Sequence, residues 1–166
     1  MAARASILIV EDDSLISAML AGMLSSLDYE VLGQVTGGEE AVQAALRLGP
    51  DLILMDIELD DGVDGFEAAC RINRLLPTPV VLLSAYDRPR LMERAAQAGV
   101  GAYLVKPPDE RRLERAIAVT LARFRELQAL SSQNRQLDQH NQRLERSLKE
   151  REDIIGELQE AGLKGM

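Results

Sequence analysis

Four short apolar runs in this chain each end on a residue that can do chemistry. Ile7–Val10 is followed by Glu11, Asp12 and Asp13; Leu52–Met55 by Asp56; Val80–Leu83 by Ser84; and Ala102–Val105 by Lys106. Carboxylates brought close together repel one another unless a cation sits among them, and a few carboxylate oxygens completed by water suit Mg²⁺. Add a hydroxyl and an ammonium, and the set can carry phosphoryl transfer. A carboxylate acts as nucleophile, the cation and Lys106 neutralise phosphoryl oxygens, and Ser84 donates a hydrogen bond to one of them. Taken singly these residues are ordinary. A strand-end acid can simply open a loop or cap a helix, and Asp13 before Ser14-Leu15 is placed to do that. The joint placement is what points to a site.

That placement depends on the elements. A fifth β-rich run, Val31–Gly33, joins the other four, and between them lie helical patterns at about 14–27, 38–48, 64–75 and 88–98. Runs that are almost wholly apolar fit parallel strands covered on both faces. Five β–α repeats are too few for a barrel and predict an α/β, doubly wound, five-stranded parallel sheet. Its usual flavodoxin-like order, 2-1-3-4-5, brings the carboxyl ends of strands 1 and 3 together.

After Pro107-Pro108 the pattern changes. Leu113, Ile117, Leu121 and Phe124 step by three and four, a face for packing on the sheet. From Leu127 a seven-residue repeat takes over. Leu127, Asn134, Asn141, Leu148 and Ile155 hold one core position; Leu130, Leu137, Leu144, Arg151 and Leu158 hold the other. This predicts a coiled coil, so the chain divides into a domain over 1–125 and a dimerisation and signalling helix over 126–166. Some fifty helical residues extend about 75–80 Å, which calls for a partner helix to cover the stripe. Two asparagines at one core position favour two strands in fixed register, a parallel homodimer. His140 would then face Glu145 of the other copy, or simply stand as a solvated rim residue. Arg151, Gly156, Gly162 and Gly165 weaken the coil toward its end.

Composition narrows the classes further. The 166 residues carry a net charge of −8, with 13 basic and 19 acidic side chains through Arg125 and 6 and 8 beyond it. Neither part supplies the cationic surface that drives nucleic-acid binding. The single cysteine, Cys70, sits in a helical pattern and reads as a small buried hydrophobe in a reducing compartment. No apolar run reaches membrane-spanning length and the opening MAARASILIV turns acidic too soon for a signal peptide, so the expectation is a cytoplasmic protein.

The segments SILIVEDD, DLILMDIELDDGVDGFEAA, PVVLLSAYD and GAYLVKP resemble, in order, the signature segments of bacterial response-regulator receiver domains, over about residues 5–125. The resemblance implies that Asp56 is the phosphoacceptor, with Glu11 and Asp12 the acidic pair and Asp12 the more direct Mg²⁺ ligand. It further implies a metal contact from the backbone carbonyl of Glu58, a switch hydroxyl at Ser84, a switch aromatic at Tyr103, a phosphate-binding Lys106 and a cis Lys106-Pro107 bond. The phosphodonor would be a sensor histidine kinase or a phosphotransfer protein. The chain's own chemistry would be limited to self-catalysed phosphotransfer and slow autodephosphorylation, so it would not be an enzyme acting on an outside substrate. On activation Ser84 would move toward the phosphoryl group and Tyr103 swing inward, altering the surface made by the 88–98 stretch, the fifth strand and the helix after it.

Two local features depart from or add to that pattern. Many receivers have proline four residues after the phosphoacceptor; here Asp60 stands there, and Asp61-Gly62 lengthen the loop by one. Tyr86, two residues past Ser84, is placed where its bulk would hinder a hydrolytic water. Two other outputs compete with the coiled coil. The stretch AYDRPRLMERAAQAGVGAYLVKPP, followed by RFRELQAL, resembles receivers that precede RNA-binding ANTAR antiterminator modules, although no helical bundle of that kind follows in this chain. An aspartyl-phosphate phosphatase of the haloacid dehalogenase type would need an acid two residues after the nucleophile, where Glu58 stands.

Overall fold

The computed structural model describes residues 3–60, 62–86 and 100–165. Five strands, β1 (Ser6–Val10), β2 (Glu30–Val35), β3 (Leu52–Asp56), β4 (Val80–Ser84) and β5 (Ala102–Val105), form one sheet in the order β2-β1-β3-β4-β5. All four pairings are parallel. This is the flavodoxin-like order expected from the sequence. The helices are α1 (Ser14–Ser26), α2 (Gly38–Leu48), α3 (Gly65–Leu75) and α4 (Glu110–Lys164). The helical stretch expected at 88–98 lies outside the described residues.

Successive strand residues point to opposite faces, and the sheet uses both. Leu8, Val10, Ile53, Met55 and Leu82 pack on one side with Ala41, Val42 and Ala45 of α2 and Ala68 and Ile72 of α3. Ile7, Ile9, Leu54, Val81 and Leu83 pack on the other with Leu20 and Leu24 of α1 and Leu113, Ile117 and Leu121 of α4. β3 and β4 are buried at every position, which is why they read as unbroken apolar runs. Phe124 and Cys70 are half-buried, so the cysteine is less enclosed than its sequence context implied.

The starts of α1, α3 and α4 are fixed by side chains that accept orphan N–H groups. Asp13 accepts from Leu15 and Ile16 at 2.8 and 3.1 Å, Asp64 from Glu67 at 2.7 Å, and Asp109 from Arg112 at 2.8 Å. The start of α4 is also tied across the sheet. Arg4 meets Glu114 at 2.8 Å while stacking over Tyr29, and Ser26 hydrogen-bonds Glu110.

The chain separates into two compact units, Met1–Phe124 and Arg125–Met166. In the second, α4 continues as helix with its apolar side chains exposed. Among the described residues no helix is long and apolar enough to cross a membrane.

The loop after β3 is held against the end of that strand by a close backbone approach. A Cβ on Gly65 would fall 1.8 Å from the Asp56 carbonyl oxygen, and the Gly65 N–H donates to Ile57 at 3.0 Å. On the far side of the loop, a Cβ on Gly38 would lie 2.4 Å from the Val63 carbonyl. Backbone cannot yield as a flexible side-chain tip does. Gly65→Ala is therefore expected to destabilise the first unit by about 1–3 kcal/mol, the usual range for overpacking. A urea titration followed by circular dichroism checks this; an unchanged midpoint would show that the loop relaxes freely.

Candidate phosphoacceptor site

The sheet ladder continues one residue past the strands and thereby places the site. Glu11 N–H donates to the Val35 carbonyl at 2.9 Å, Ile57 N–H to Leu83 at 2.9 Å, and Lys106 N–H to Ser84 at 2.8 Å. Residues far apart in sequence arrive at one mouth because β1, β3, β4 and β5 are parallel neighbours whose carboxyl ends all lie on the same edge.

At that mouth one ammonium is shared by two buried carboxylates. Lys106 Nζ stands 2.8 Å from Asp56 Oδ2, and 3.0 and 3.2 Å from the two oxygens of Glu11. Asp56 and Glu11 are each 1% exposed. The second oxygen of Asp56 accepts from the Glu58 N–H at 3.1 Å, and Glu11 Oε1 accepts from the Asp13 N–H at 3.3 Å. Burial pushes the Glu11 carboxyl above its ordinary range, and the Asp56 charge pushes the same way, against the Lys106 hydrogen bond. For Lys106 burial alone would lower the pKa. Its hydrogen bonds and charge contacts with Asp56 and Glu11 outweigh that, leaving it raised and firmly protonated.

Asp12 completes the group. One carboxylate oxygen from each of Glu11, Asp12 and Asp56 lies within 4.8 Å of the others. Three carboxylates against one ammonium leave two negative charges uncompensated among largely buried groups. Hard oxygen donors at this spacing, with that charge deficit, fit Mg²⁺, which takes one or two carboxylates and keeps several waters. The Glu58 side chain is exposed. Its N–H serves Asp56, while its carbonyl remains the expected metal contact.

Ser84 and Tyr103 meet through a group the sequence does not single out. Ser84, 1% exposed, donates to the Tyr86 carbonyl at 3.1 Å and accepts from the Tyr86 N–H at 3.2 Å. The Tyr103 hydroxyl donates to the same carbonyl. Tyr86 thus joins the two through its backbone, and the residue is 59% exposed. The residue was legible only as bulk two positions past Ser84; a backbone acceptor has no signature in residue type. Lys106-Pro107 is cis, as the resemblance implied. Asp60 is exposed and Gly62 takes a left-handed φ of 85°; Asp61 lies outside the described residues.

Removing Lys106 would leave two buried carboxylates facing each other. Lys106→Met is expected to cost roughly 3–5 kcal/mol, as when one partner of a buried pair is lost, with part of the loss restored by millimolar Mg²⁺. Urea unfolding with and without Mg²⁺ tests this; equal midpoints for variant and parent would mean that the ammonium is not what holds the acids together.

Comparison with known proteins agrees with this geometry. The family described as response regulator receiver domain matches residues 7–118. The transcriptional regulatory protein PdtaR of Mycobacterium tuberculosis is 42% identical over 127 residues, which cover 76% of this chain and 62% of PdtaR. The response regulator protein VraR of Staphylococcus aureus is 35% identical over 116 residues, covering 69% of this chain and 55% of VraR. The chain therefore spans about three-fifths of the length of these relatives. Among solved structures, the signal receiver domain of a modulated diguanylate cyclase from Desulfovibrio desulfuricans G20 superposes with a TM-score of 0.68 at 36% identity, over 73% of this chain and 96% of that one. With the sheet order, the strand-end acids and the lysine all in place, the chain belongs to the response regulator receiver domain family.

Proposed function

We propose that this chain is a phosphorylation-controlled switch of a two-component system. Asp56 takes a phosphoryl group from a sensor histidine kinase or phosphotransfer protein, and the signal leaves through a dimeric coiled coil over residues 126–166. The observation that carries the reading is the buried Asp56 carboxylate, held between Lys106 and the Glu58 N–H beside two further acids.

The chemistry follows from those contacts. An Asp56 oxygen attacks the phosphorus of the donor's phosphohistidine; the P–O bond forms as the P–N bond breaks, and the imidazole nitrogen leaves and takes up a proton. Glu11 and Asp12, with Asp56, would hold Mg²⁺, which when bound neutralises charge on the phosphoryl oxygens. Lys106 stays protonated and meets the new phosphoryl oxygens from the other side. Ser84 exchanges its Tyr86 contacts for a phosphoryl oxygen, which frees the carbonyl that Tyr103 also uses. The Tyr86 ring, at the rim of the same mouth, restricts the approach of hydrolytic water. No outside substrate is turned over, and the protein works in the cytoplasm.

An output in transcription is the second reading. It draws on the similarity to PdtaR, a transcriptional regulatory protein, and on the resemblance of the segment beyond Ser84 to receivers that precede ANTAR modules. Salt-sensitive binding of structured RNA by the full chain would move it to first place.

Acetyl phosphate with Mg²⁺ is expected to label the protein once, with no label on Asp56→Asn and labelling slowed on the order of 100-fold in Lys106→Met. Label retained by Asp56→Asn would overturn the assignment. Light scattering with Mg²⁺ and beryllofluoride then reads the output. A mass that doubles only with the mimic, and not in Asp56→Asn, places pairing under phosphorylation control; a dimer in both states makes the signal a change in coil geometry.

A further inference from the structure

In the second unit seven core-position side chains, Leu127, Leu130, Leu137, Leu144, Leu148, Ile155 and Leu158, are 49–66% exposed along one helix. The residues flanking that stripe decide what can cover it. On the side that follows the second core position stand Ser131, Asp138, Glu145, Glu152 and Gln159; on the other stand Glu126, Gln133, His140, Ser147 and Ile154. In a parallel pair each flank meets the opposite flank of its partner, whereas in an antiparallel pair each meets itself. Antiparallel self-pairing would therefore line up Asp138, Glu145 and Glu152 against the same three acids. Parallel self-pairing sets Gln133 beside Asp138 and His140 beside Glu145, with no like-charged pair.

The polar core residues sharpen this. In register, Asn134 and Asn141 each face their own copy, where two amides satisfy each other. A slip of one heptad would leave one asparagine against Leu127 and another against Leu148. A buried amide without a partner costs about 1–3 kcal/mol, so the doubled asparagine rejects the slipped pairing more firmly than one would. Arg151 is the third polar core residue. In a parallel pair the wall around it includes Glu152 of the second copy, an acid one position outside the core.

We infer that residues 127–158 pair with a second copy of this chain, parallel and in one register, and that Asn134, Asn141 and the Arg151–Glu152 contact select that arrangement. The leucines supply attraction for any apolar helix; the polar residues choose this one. The inference rests on the dimeric output proposed above, and it fails separately from the phosphoacceptor reading because Asp56 labelling is measured on its own.

The test uses the full chain with Cys70→Ala. Leu130→Cys and Ile155→Cys, which an antiparallel pair would set opposite each other, are each equilibrated in a glutathione redox buffer, alone and mixed. Each alone should give a disulfide-linked dimer. Disulfide formation only in the mixture would make the pair antiparallel and overturn the inference, as would a monomer or trimer mass by light scattering. Selection by charge is tested apart from folding: Glu152→Lys should weaken the dimer roughly tenfold, and adding Arg151→Glu should restore it. Unchanged association in Glu152→Lys, or no recovery in the doubly substituted chain, would remove the Arg151–Glu152 contact from the selection.

Discussion

Three carboxylates and one ammonium at the carboxyl edge of the sheet set the terms for the rest of the first unit. Such a group is unfavourable in isolation, because burial opposes charge and like charges repel. It persists here because the strands leave it no room to spread. Glu11, Ile57 and Lys106 are each pinned by a ladder hydrogen bond, and the loop after Asp56 is locked by the contact at Gly65. The apolar filling of β3 and β4, buried on both faces, stabilises the scaffold against which the acids are held. What the site lacks is positive charge, which a divalent cation would supply. A local change of charge becomes a conformational signal where it biases an element that has two arrangements.

The same logic explains why Ser84 and Tyr103 converge on one carbonyl. Both hydroxyls need an acceptor, and the Tyr86 carbonyl serves both. Drawing Ser84 toward Asp56 would withdraw one donor from that carbonyl and so alter the surroundings of Tyr103. No long chain of contacts is needed between the site and the β5 edge: β4 and β5 are hydrogen-bonded neighbours, with Ser84 paired to Val105.

Much of this was legible in the sequence, and for identifiable reasons. Fully apolar runs announced the buried strands, and the residue ending each run announced the mouth. The strand limits in the structure differ by a residue or two, at Ser6, Glu30, Val35, Asp56 and Ser84, where polar or edge positions blur the apolar signal. Asp13 proved to be a helix cap, the ordinary role for an acid before a first turn. The pairing of Lys106 with Glu11 as well as Asp56 was not legible, because residue types give the ends of strands and not the reach of a side chain. The Tyr86 carbonyl was invisible for the same kind of reason, being backbone.

α4 shows how one helix can serve two packing problems. Through Leu121 its apolar residues follow the helix's own period and bury against the sheet; from Leu127 they follow a seven-residue repeat that suits another helix. The change of period, rather than any break in the helix, marks the boundary between the two units. Three of the ten core positions from Leu127 to Leu158 are polar, a composition that gives up stability for selectivity. In the pairing proposed above, apolar area alone would not hold two chains together; the polar core residues would set which chains pair.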